Sequence, residues 1–137
     1  MRLLGRQPHD RVLQEMVWSD VFALVGWDEP FATVYMEAMA AGKPVVCADD
    51  GGVNDLLVDG VHGRSVPPRD AAAAGDALGA LLADAPARAR MGRAARELFD
   101  ARLHSDRTAR ALIAACRQAI ERQREHRPRA AVPSNRA

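Results

Sequence analysis

The chain has 137 residues, 48% of them hydrophobic, and a formal net charge of +1. This size suits one domain with a modest core, and this charge excludes a general attraction to nucleic acid or anionic membranes. No apolar run is long enough to span a bilayer and the start is too polar for a signal peptide, so the sequence predicts a cytoplasmic protein without an integral membrane segment. Cys47 and Cys116 stand in apolar segments without metal-ligand spacing, which predicts buried free thiols.

The first half of the chain alternates predicted strands and helices. Residues 2–6 resemble the end of a strand, and an amphipathic helix is expected from Pro8. The continuous apolar run at 21–25 is typical of a strand buried on both faces of a parallel sheet. Further strands are predicted at 44–48 and 62–66, with a helix from Thr33 to the stop at Gly42 and a short helical piece at 53–58. This rhythm predicts a parallel sheet with right-handed crossovers.

The second half is predicted to be helical. Asp70 is a good N-cap for an alanine-rich helix, which Gly75 and Gly79 either weaken or open to close approach by another backbone. Pro86 opens a further helix, and Ser105 is expected to cap a last one. The apolar stripe of that last helix consists of Ala109, Leu112, Ile113, Cys116 and Ile120. We expect one domain over residues 1–120, followed by a frayed helix end and a disordered tail over 121–137.

Two acids flank the start of the helix predicted from Thr33. Glu29 lies in the preceding loop and Glu37 about one turn inside the helix, so both can face one pocket. Free amides and the helix dipole at such a start favour an anion. The residues alone therefore suggest a site for a sugar joined to a phosphate.

Simpler interpretations of these carboxylates remain open at this stage. Glu29 could be a solvated loop acid that favours the helix dipole, and Glu37 could lie on an exposed helix face. Asp49 and Asp50 at a strand end are more often turn formers than metal ligands. The four histidines are scattered, so the sequence predicts neither a metal site nor a resident cofactor.

Several segments, in order, resemble the group 1 retaining glycosyltransferases of the GT-B architecture. The segments are Ser19-Asp20-Val21-Phe22-Ala23-Leu24, Glu29-Pro30-Phe31, Glu37-Ala38-Met39-Ala40-Ala41-Gly42-Lys43-Pro44-Val45-Val46, Gly51-Gly52, Asp59-Gly60, Gly63, Val66-Pro67-Pro68 and Met91-Gly92. The resemblance is collinear over roughly residues 3–120. It implies an α/β fold: a partial Rossmann-like parallel sheet of three to four strands flanked by helices, the C-terminal half-domain of a GT-B fold.

The resemblance also implies functions for six residues of the Glu29–Glu37 segment. Glu29 would bind the donor sugar and stabilise the transition state as the catalytic residue. The amides of Phe31 and Ala32 would face the sugar. Those of Thr33 and Val34 would face the diphosphate, and Glu37 would hold the ribose. The implied reaction transfers a hexosyl group from a nucleotide sugar to an unknown acceptor with retention, without a metal.

The chain departs from the family pattern in two respects. Pro30 and Ala32 stand where the family commonly has glycine, and Ala32 would be strained if the loop required a positive φ. The family's acceptor-binding N-terminal domain and the basic diphosphate clamp have no counterpart here. We therefore expect a chain truncated at its N-terminal side and inactive alone, with a separately encoded N-terminal acceptor domain as a candidate partner. The alternative is a non-catalytic remnant or interaction module that keeps the scaffold.

Overall fold

The computed structural model describes residues 2–125 of the chain. Contacts divide the chain into two compact units, of which the first ends at Leu103 and the second begins at His104. The expected tail lies outside the described residues from position 126 onward. Within the described residues, no helix is both long and apolar enough to cross a membrane.

The first unit is an α/β structure built on three parallel strands. The sheet has the order β1-β2-β3, so β2 is central. In chain order the elements are α1 (His9–Trp18), β1 (Phe22–Leu24), α2 (Thr33–Ala40), β2 (Val45–Ala48), a 3-10 turn (Gly52–Asp55), β3 (Gly63–Val66), α3 (Ala71–Ala83), α4 (Ala85–Leu98) and a π-helical turn (Phe99–Leu103). These elements confirm the predicted alternation and the parallel sheet.

Helices cover both faces of the sheet because β2 is apolar at every position. Val45 and Cys47 belong to the core cluster that contains Tyr35 and Met39 of α2. Val46, on the opposite face, packs in a second cluster with residues of β3, α3 and α4. A central parallel strand buried on both faces is therefore the origin of the apolar run in the sequence.

Two predictions about the first strands were wrong. Ala23 is exposed while Phe22 and Leu24 are half-buried, so β1 is not buried on both faces. The reason is position: within residues 2–125, β1 lies at an edge of the sheet and pairs only with β2. Residues 2–6, expected to resemble a strand end, form no strand and are exposed.

Two glycines are needed where one backbone packs closely against another. A Cβ on Gly92 of α4 would lie 2.2 Å from the Gly42 oxygen, and a Cβ on Gly63 would lie 1.8 Å from the Val45 oxygen. Gly42 itself has a φ of +68° and ends α2. By contrast, no atom lies within 4 Å of a Cβ built on Gly75 or Gly79, so neither serves the close approach considered from the sequence.

Aspartates cap the two helices after β3. The Asp70 carboxylate accepts from the Ala73 amide at 2.9 Å, which confirms the predicted N-cap. The α4 cap is Asp84, which accepts from the Ala87 amide at 2.8 Å and puts Pro86 in the first turn. The sequence had identified the proline and not its cap.

The second unit contains α5 (Ser105–Glu125). Its first carbonyl acceptor is that of His104, so the helix begins one residue earlier than a cap at Ser105 implies. The predicted stripe is on the surface: Leu112, Ile113 and Ile120 are all at least half exposed. Cys116 is exposed, so the prediction of a buried thiol is wrong there and confirmed only at Cys47.

Candidate functional site

The loops that follow the three strands meet at one edge of the sheet. All three strands are parallel, so their carboxyl ends point the same way. The loop after β1 carries Asp28 and Glu29, the turn after β2 carries Asp49 and Asp50, and the segment after β3 carries Arg69. Crevices at this edge of open α/β sheets are where ligands bind.

The Glu29 loop lies directly on the Gly51–Gly52 turn. The Gly52 amide donates to the Glu29 carbonyl oxygen at 3.0 Å. A Cβ on Gly52 would come within 1.7 Å of the Pro30 oxygen, and one on Gly51 within 3.2 Å of the Glu29 oxygen. The two glycines therefore let the Glu29–Pro30 backbone pack directly on the backbone of the turn after β2. The sequence predicted a turn and a family motif at Gly51-Gly52, and the contact with the Glu29 loop came from the structure.

Strain in this loop falls on Asp28 rather than on Ala32. Asp28 has a φ of 55°, in the left-handed region that aspartate tolerates better than most residues. Ala32 has a φ of −72° and a ψ of 130°, which is ordinary extended backbone. The strain considered for an alanine at position 32 is therefore not present.

The first turn of α2 keeps its amides available. No side chain caps the helix, and the N-cap position is Ala32, whose methyl group has no acceptor. The Tyr35 amide turns back to the Ala32 carbonyl at 3.1 Å. Among residues 2–125, no side chain caps the helix start at the amides of Thr33 and Val34, as an anion site needs. Phe31 is half-buried and packs against the core, which holds the loop to the helix.

Tyr35 ties this helix start to the end of β1. Its hydroxyl donates to the Leu24 carbonyl at 2.8 Å, and its ring meets Phe22 edge to face with centroids 5.9 Å apart. Burial raises the pKa of Tyr35 to about 12, with smaller electrostatic contributions from Cys47, Glu29 and Asp50. The phenol is therefore a neutral structural anchor at physiological pH.

Glu37 lies one turn further along α2, on the side that carries Thr33. Helical side chains tilt toward the N-terminus, so its carboxylate leans toward the first turn. The Glu37 side chain is 28% exposed, and its Oε1 lies 3.9 Å from Nε2 of His9 at the start of α1. The structure thus groups Glu29, Phe31, Ala32, Thr33 and Val34 on one loop and helix start. Glu37, in the second turn of α2, lies beside His9 of α1.

An asparagine that sequence analysis missed shapes the turn after β2. The Asn54 amide donates to the carbonyls of Ala48 at 2.7 Å and Gly51 at 3.0 Å, and its oxygen accepts from the Ser65 hydroxyl at 2.8 Å. Burial raises the pKa of the neighbouring Cys47 thiol, which remains protonated. The sequence signal for Asn54 was its position just after a Gly-Gly turn, where asparagine side chains often form hydrogen bonds with the backbone.

The carboxylates at this edge do not converge as metal ligands. Within residues 2–125, no group of three or more histidine, cysteine, aspartate or glutamate residues is placed to hold a metal ion. Asp49 and Asp50 are exposed at their turn.

Known proteins are similar in sequence to this chain over most of its length. Residues 1–98 match the family described as Glycosyl transferases group 1. A D-inositol 3-phosphate glycosyltransferase of Nocardia farcinica is 40% identical over 89 residues, covering 65% of this chain and 20% of that protein. A glycogen synthase of Mycobacterium tuberculosis is 35% identical over 120 residues, covering 85% of this chain and 29% of that protein.

Solved structures share the fold. Sucrose-phosphate synthase from Thermosynechococcus elongatus has a TM-score of 0.82 at 28% identity, over 88% of this chain and 30% of its own. Anabaena HepE in complex with UDP and glucose has a TM-score of 0.71 at 26% identity, over 82% of this chain and 32% of its own. The chain spans less than a third of the length of each of these relatives. With a family match over residues 1–98, this chain belongs to the group 1 glycosyltransferases and has the α/β fold of their GT-B members.

Proposed function

We propose that this chain is the donor-binding part of a transferase that moves a hexosyl group from a nucleotide-diphosphate sugar to an acceptor with retention. The observation that carries the proposal is the start of α2, whose amides have no side-chain cap at the carboxyl edge of the sheet. Family membership and the likeness to HepE, which was solved with UDP and with UDP-glucose, support it.

Each group at the site has a proposed role that suits its chemistry. The amides of Thr33 and Val34 bind the diphosphate, since a helix start offers N–H donors and a positive dipole end. Glu29 accepts hydrogen bonds from sugar hydroxyls and stabilises positive charge as the glycosidic bond opens. The amides of Phe31 and Ala32 face the same sugar.

Glu37 completes the donor site by accepting from the ribose hydroxyls. A carboxylate has two oxygens that can accept from paired hydroxyls, and its hydrogen bonds to them are charge-assisted. The Glu37 Oε1 atom lies 3.9 Å from Nε2 of His9. A bound ribose would therefore replace the long, exposed contact between Glu37 and His9.

We further propose that transfer needs no resident metal or other cofactor, that the protein acts in the cytoplasm, and that activity requires an N-terminal acceptor domain. The chain covers 20% to 30% of three of its relatives, and a leaving diphosphate needs more positive charge than two amides supply. The chain alone should bind donor without turnover. Fusing it behind the N-terminal portion of a group 1 relative should produce transfer of a hexose from UDP-glucose or another nucleotide sugar.

Calorimetry on the purified chain tests the donor site. UDP, GDP and ADP and their glucose conjugates would be titrated into the wild type, Glu37→Ala and the matched surface variant Glu97→Ala. Glu37→Ala should weaken binding of the preferred nucleotide about tenfold, as expected for lost charge-assisted hydrogen bonds. Glu97→Ala, an exposed acid on α4, should bind like the wild type.

A dideoxy analogue makes the test specific for the ribose. With the 2′,3′-dideoxy form of the nucleotide, the wild type and Glu37→Ala should bind equally, because the hydroxyls that Glu37 accepts from are absent. A folded wild-type chain that binds none of the nucleotides would instead favour the non-catalytic module.

A further inference from the structure

The Asn54 side chain is held by three hydrogen bonds at the turn after β2. Its Nδ2 amide donates to the carbonyls of Ala48 at 2.7 Å and Gly51 at 3.0 Å. Its Oδ1 accepts from the Ser65 hydroxyl of β3 at 2.8 Å. A carboxamide has two N–H donors and one carbonyl acceptor, and here both kinds of group are used. The opposite amide orientation would place Oδ1 against two carbonyl oxygens, so the side chain has one favourable orientation.

The turn that Asn54 holds is the turn on which the Glu29 loop packs. Gly51, whose carbonyl accepts from Asn54, directly precedes Gly52 in the chain. The Gly52 amide donates to the Glu29 carbonyl oxygen at 3.0 Å. A line of hydrogen bonds and two residues of backbone therefore connects Ser65 of β3, through Asn54, to the backbone of Glu29.

The start of α2 is supported from a different direction. The Tyr35 hydroxyl donates to the Leu24 carbonyl of β1 at 2.8 Å, and Phe31 packs against the core cluster that contains Tyr35. The two parts of the proposed donor site thus have separate supports. Glu29, assigned to the sugar, lies on the turn after β2, whereas the α2 amides, assigned to the diphosphate, are held by Tyr35.

We propose that Asn54 is a positioning residue for Glu29, and that it determines how much affinity the donor sugar adds to that of the nucleotide. An acceptor that is already in place binds a hydroxyl more tightly, because its loop need not be ordered on binding. Without the Asn54 side chain, the turn loses its bonds to Nδ2 and the Glu29 loop loses a fixed support. This inference rests on the proposed function, since it takes Glu29 as the group that binds the sugar.

Calorimetry with and without the sugar isolates this effect. UDP, GDP and ADP and their glucose conjugates would be titrated into the wild type and Asn54→Ala. The measured quantity is the Kd of the glucose conjugate divided by the Kd of the diphosphate that the wild type prefers. In Asn54→Ala this ratio should rise about threefold to tenfold, as expected for the loss of ordinary hydrogen bonds, while the Kd of the diphosphate changes less than about twofold. An unchanged ratio in a folded Asn54→Ala chain would overturn the proposal.

A double-mutant cycle tests whether Asn54 acts through Glu29. Glu29→Ala should raise the same ratio, and adding Asn54→Ala to it should raise the ratio no further. Additive effects of the two changes would overturn the proposal.

Leu78→Ala is the matched control for lost stability, because it removes a half-buried side chain of α3 from the cluster on the opposite face of the sheet. It should lower the urea concentration at which the chain unfolds and leave the ratio unchanged. A ratio that rises in Leu78→Ala as much as in Asn54→Ala would make Asn54 a stability residue only.

Ser65→Ala provides a milder change if Asn54→Ala does not fold. It removes the hydrogen bond to Oδ1 and leaves the two carbonyl partners of Asn54 in place. The ratio should rise in the same direction by about twofold, and an unchanged ratio would count against the proposal.

Hydrogen exchange in the free chain separates this inference from the proposed function. The Gly52 amide reports its bond to the Glu29 oxygen, and the Tyr35 amide, bonded to the Ala32 carbonyl, reports the start of α2. Asn54→Ala should speed exchange at Gly52 about tenfold more than at Tyr35, and equal changes at both amides would overturn the proposal. If exchange changes as expected but the wild type binds no nucleotide, the proposed function and the effect on sugar affinity fail together, whereas the support of the Glu29 loop by Asn54 stands.

Discussion

Replacing Gly52 by alanine tests whether the contact between two backbones sets the position of Glu29. The new Cβ would lie 1.7 Å from the Pro30 oxygen, and real Cβ atoms essentially never come closer than 3.0 Å. The Pro30 carbonyl must therefore retreat by about 1.3 Å, because overlap at such distances is strongly repulsive. The hydrogen bond from the Gly52 amide to the Glu29 oxygen breaks in the process.

The free energy of unfolding should fall by about 2–4 kcal/mol. Overpacking costs typically 1–3 kcal/mol, and the lost hydrogen bond adds about 0.5–1.5 kcal/mol. Urea denaturation of the purified chain measures this difference. Calorimetry with UDP-glucose measures its second effect, since a displaced Glu29 loop should also weaken donor binding.

The chain offers a graded set of controls in the same region. Gly26→Ala puts a Cβ where no atom lies within 4 Å, and Gly51→Ala puts one 3.2 Å from the Glu29 oxygen. We expect Gly26→Ala to resemble the wild type, Gly51→Ala to cost less than about 1 kcal/mol, and Gly52→Ala to cost most. A Gly52→Ala protein that unfolds at the same urea concentration as Gly26→Ala would refute the argument.

Two further predictions concern the glycines of α3 and α4 and the histidine just before β3. Gly75→Ala and Gly79→Ala should each raise the free energy of unfolding by roughly 0.5–1 kcal/mol in urea denaturation, because both glycines lie exposed in α3 with open space at the Cβ. Gly92→Ala, whose Cβ would meet the Gly42 oxygen at 2.2 Å, should lower the free energy of unfolding. A loss of stability in the α3 variants as large as in the α4 variant would contradict this packing. Burial lowers the pKa of His62, whose neutral Nδ1 accepts from the Val58 amide at 3.0 Å. The unfolded chain therefore binds a proton at His62 more readily than the folded chain does. The free energy of unfolding should decline as the pH falls from 7 through 6.5 and below. Urea denaturation at pH 7 and pH 5.5 checks this, and in His62→Asn, which keeps an acceptor without titrating, the decline should shrink; an unchanged decline would assign it to other groups.

Three predictions that depended on local pattern were accurate. The run of apolar residues at β2, the glycine that ends α2 and the aspartate that caps α3 each depend on neighbours a few residues away, and each lies where the sequence placed it. Motif order was equally informative, because a collinear set of short segments identifies a family even when each is weak.

Two of the predictions that failed concerned which side of an element is covered. The run at β1 looks like the run at β2, yet β1 is an edge strand with Ala23 exposed. Cys116 has the apolar setting of Cys47 but is exposed. Burial depends on what packs against an element, and the periodicity of the element itself carries no information about that.

By itself, the sequence determined the α/β alternation, the helix start that carries the Glu29–Glu37 segment, and the family. The tertiary structure decided how that segment is held and what surrounds it: Pro30 on Gly52, Glu37 beside His9, and Arg69 on Trp27. Each of these pairs joins residues more than twenty positions apart in the chain. Helix and strand periods specify only neighbours within a turn or two, whereas such contacts form when the strands align in the sheet and bring their loops to one edge.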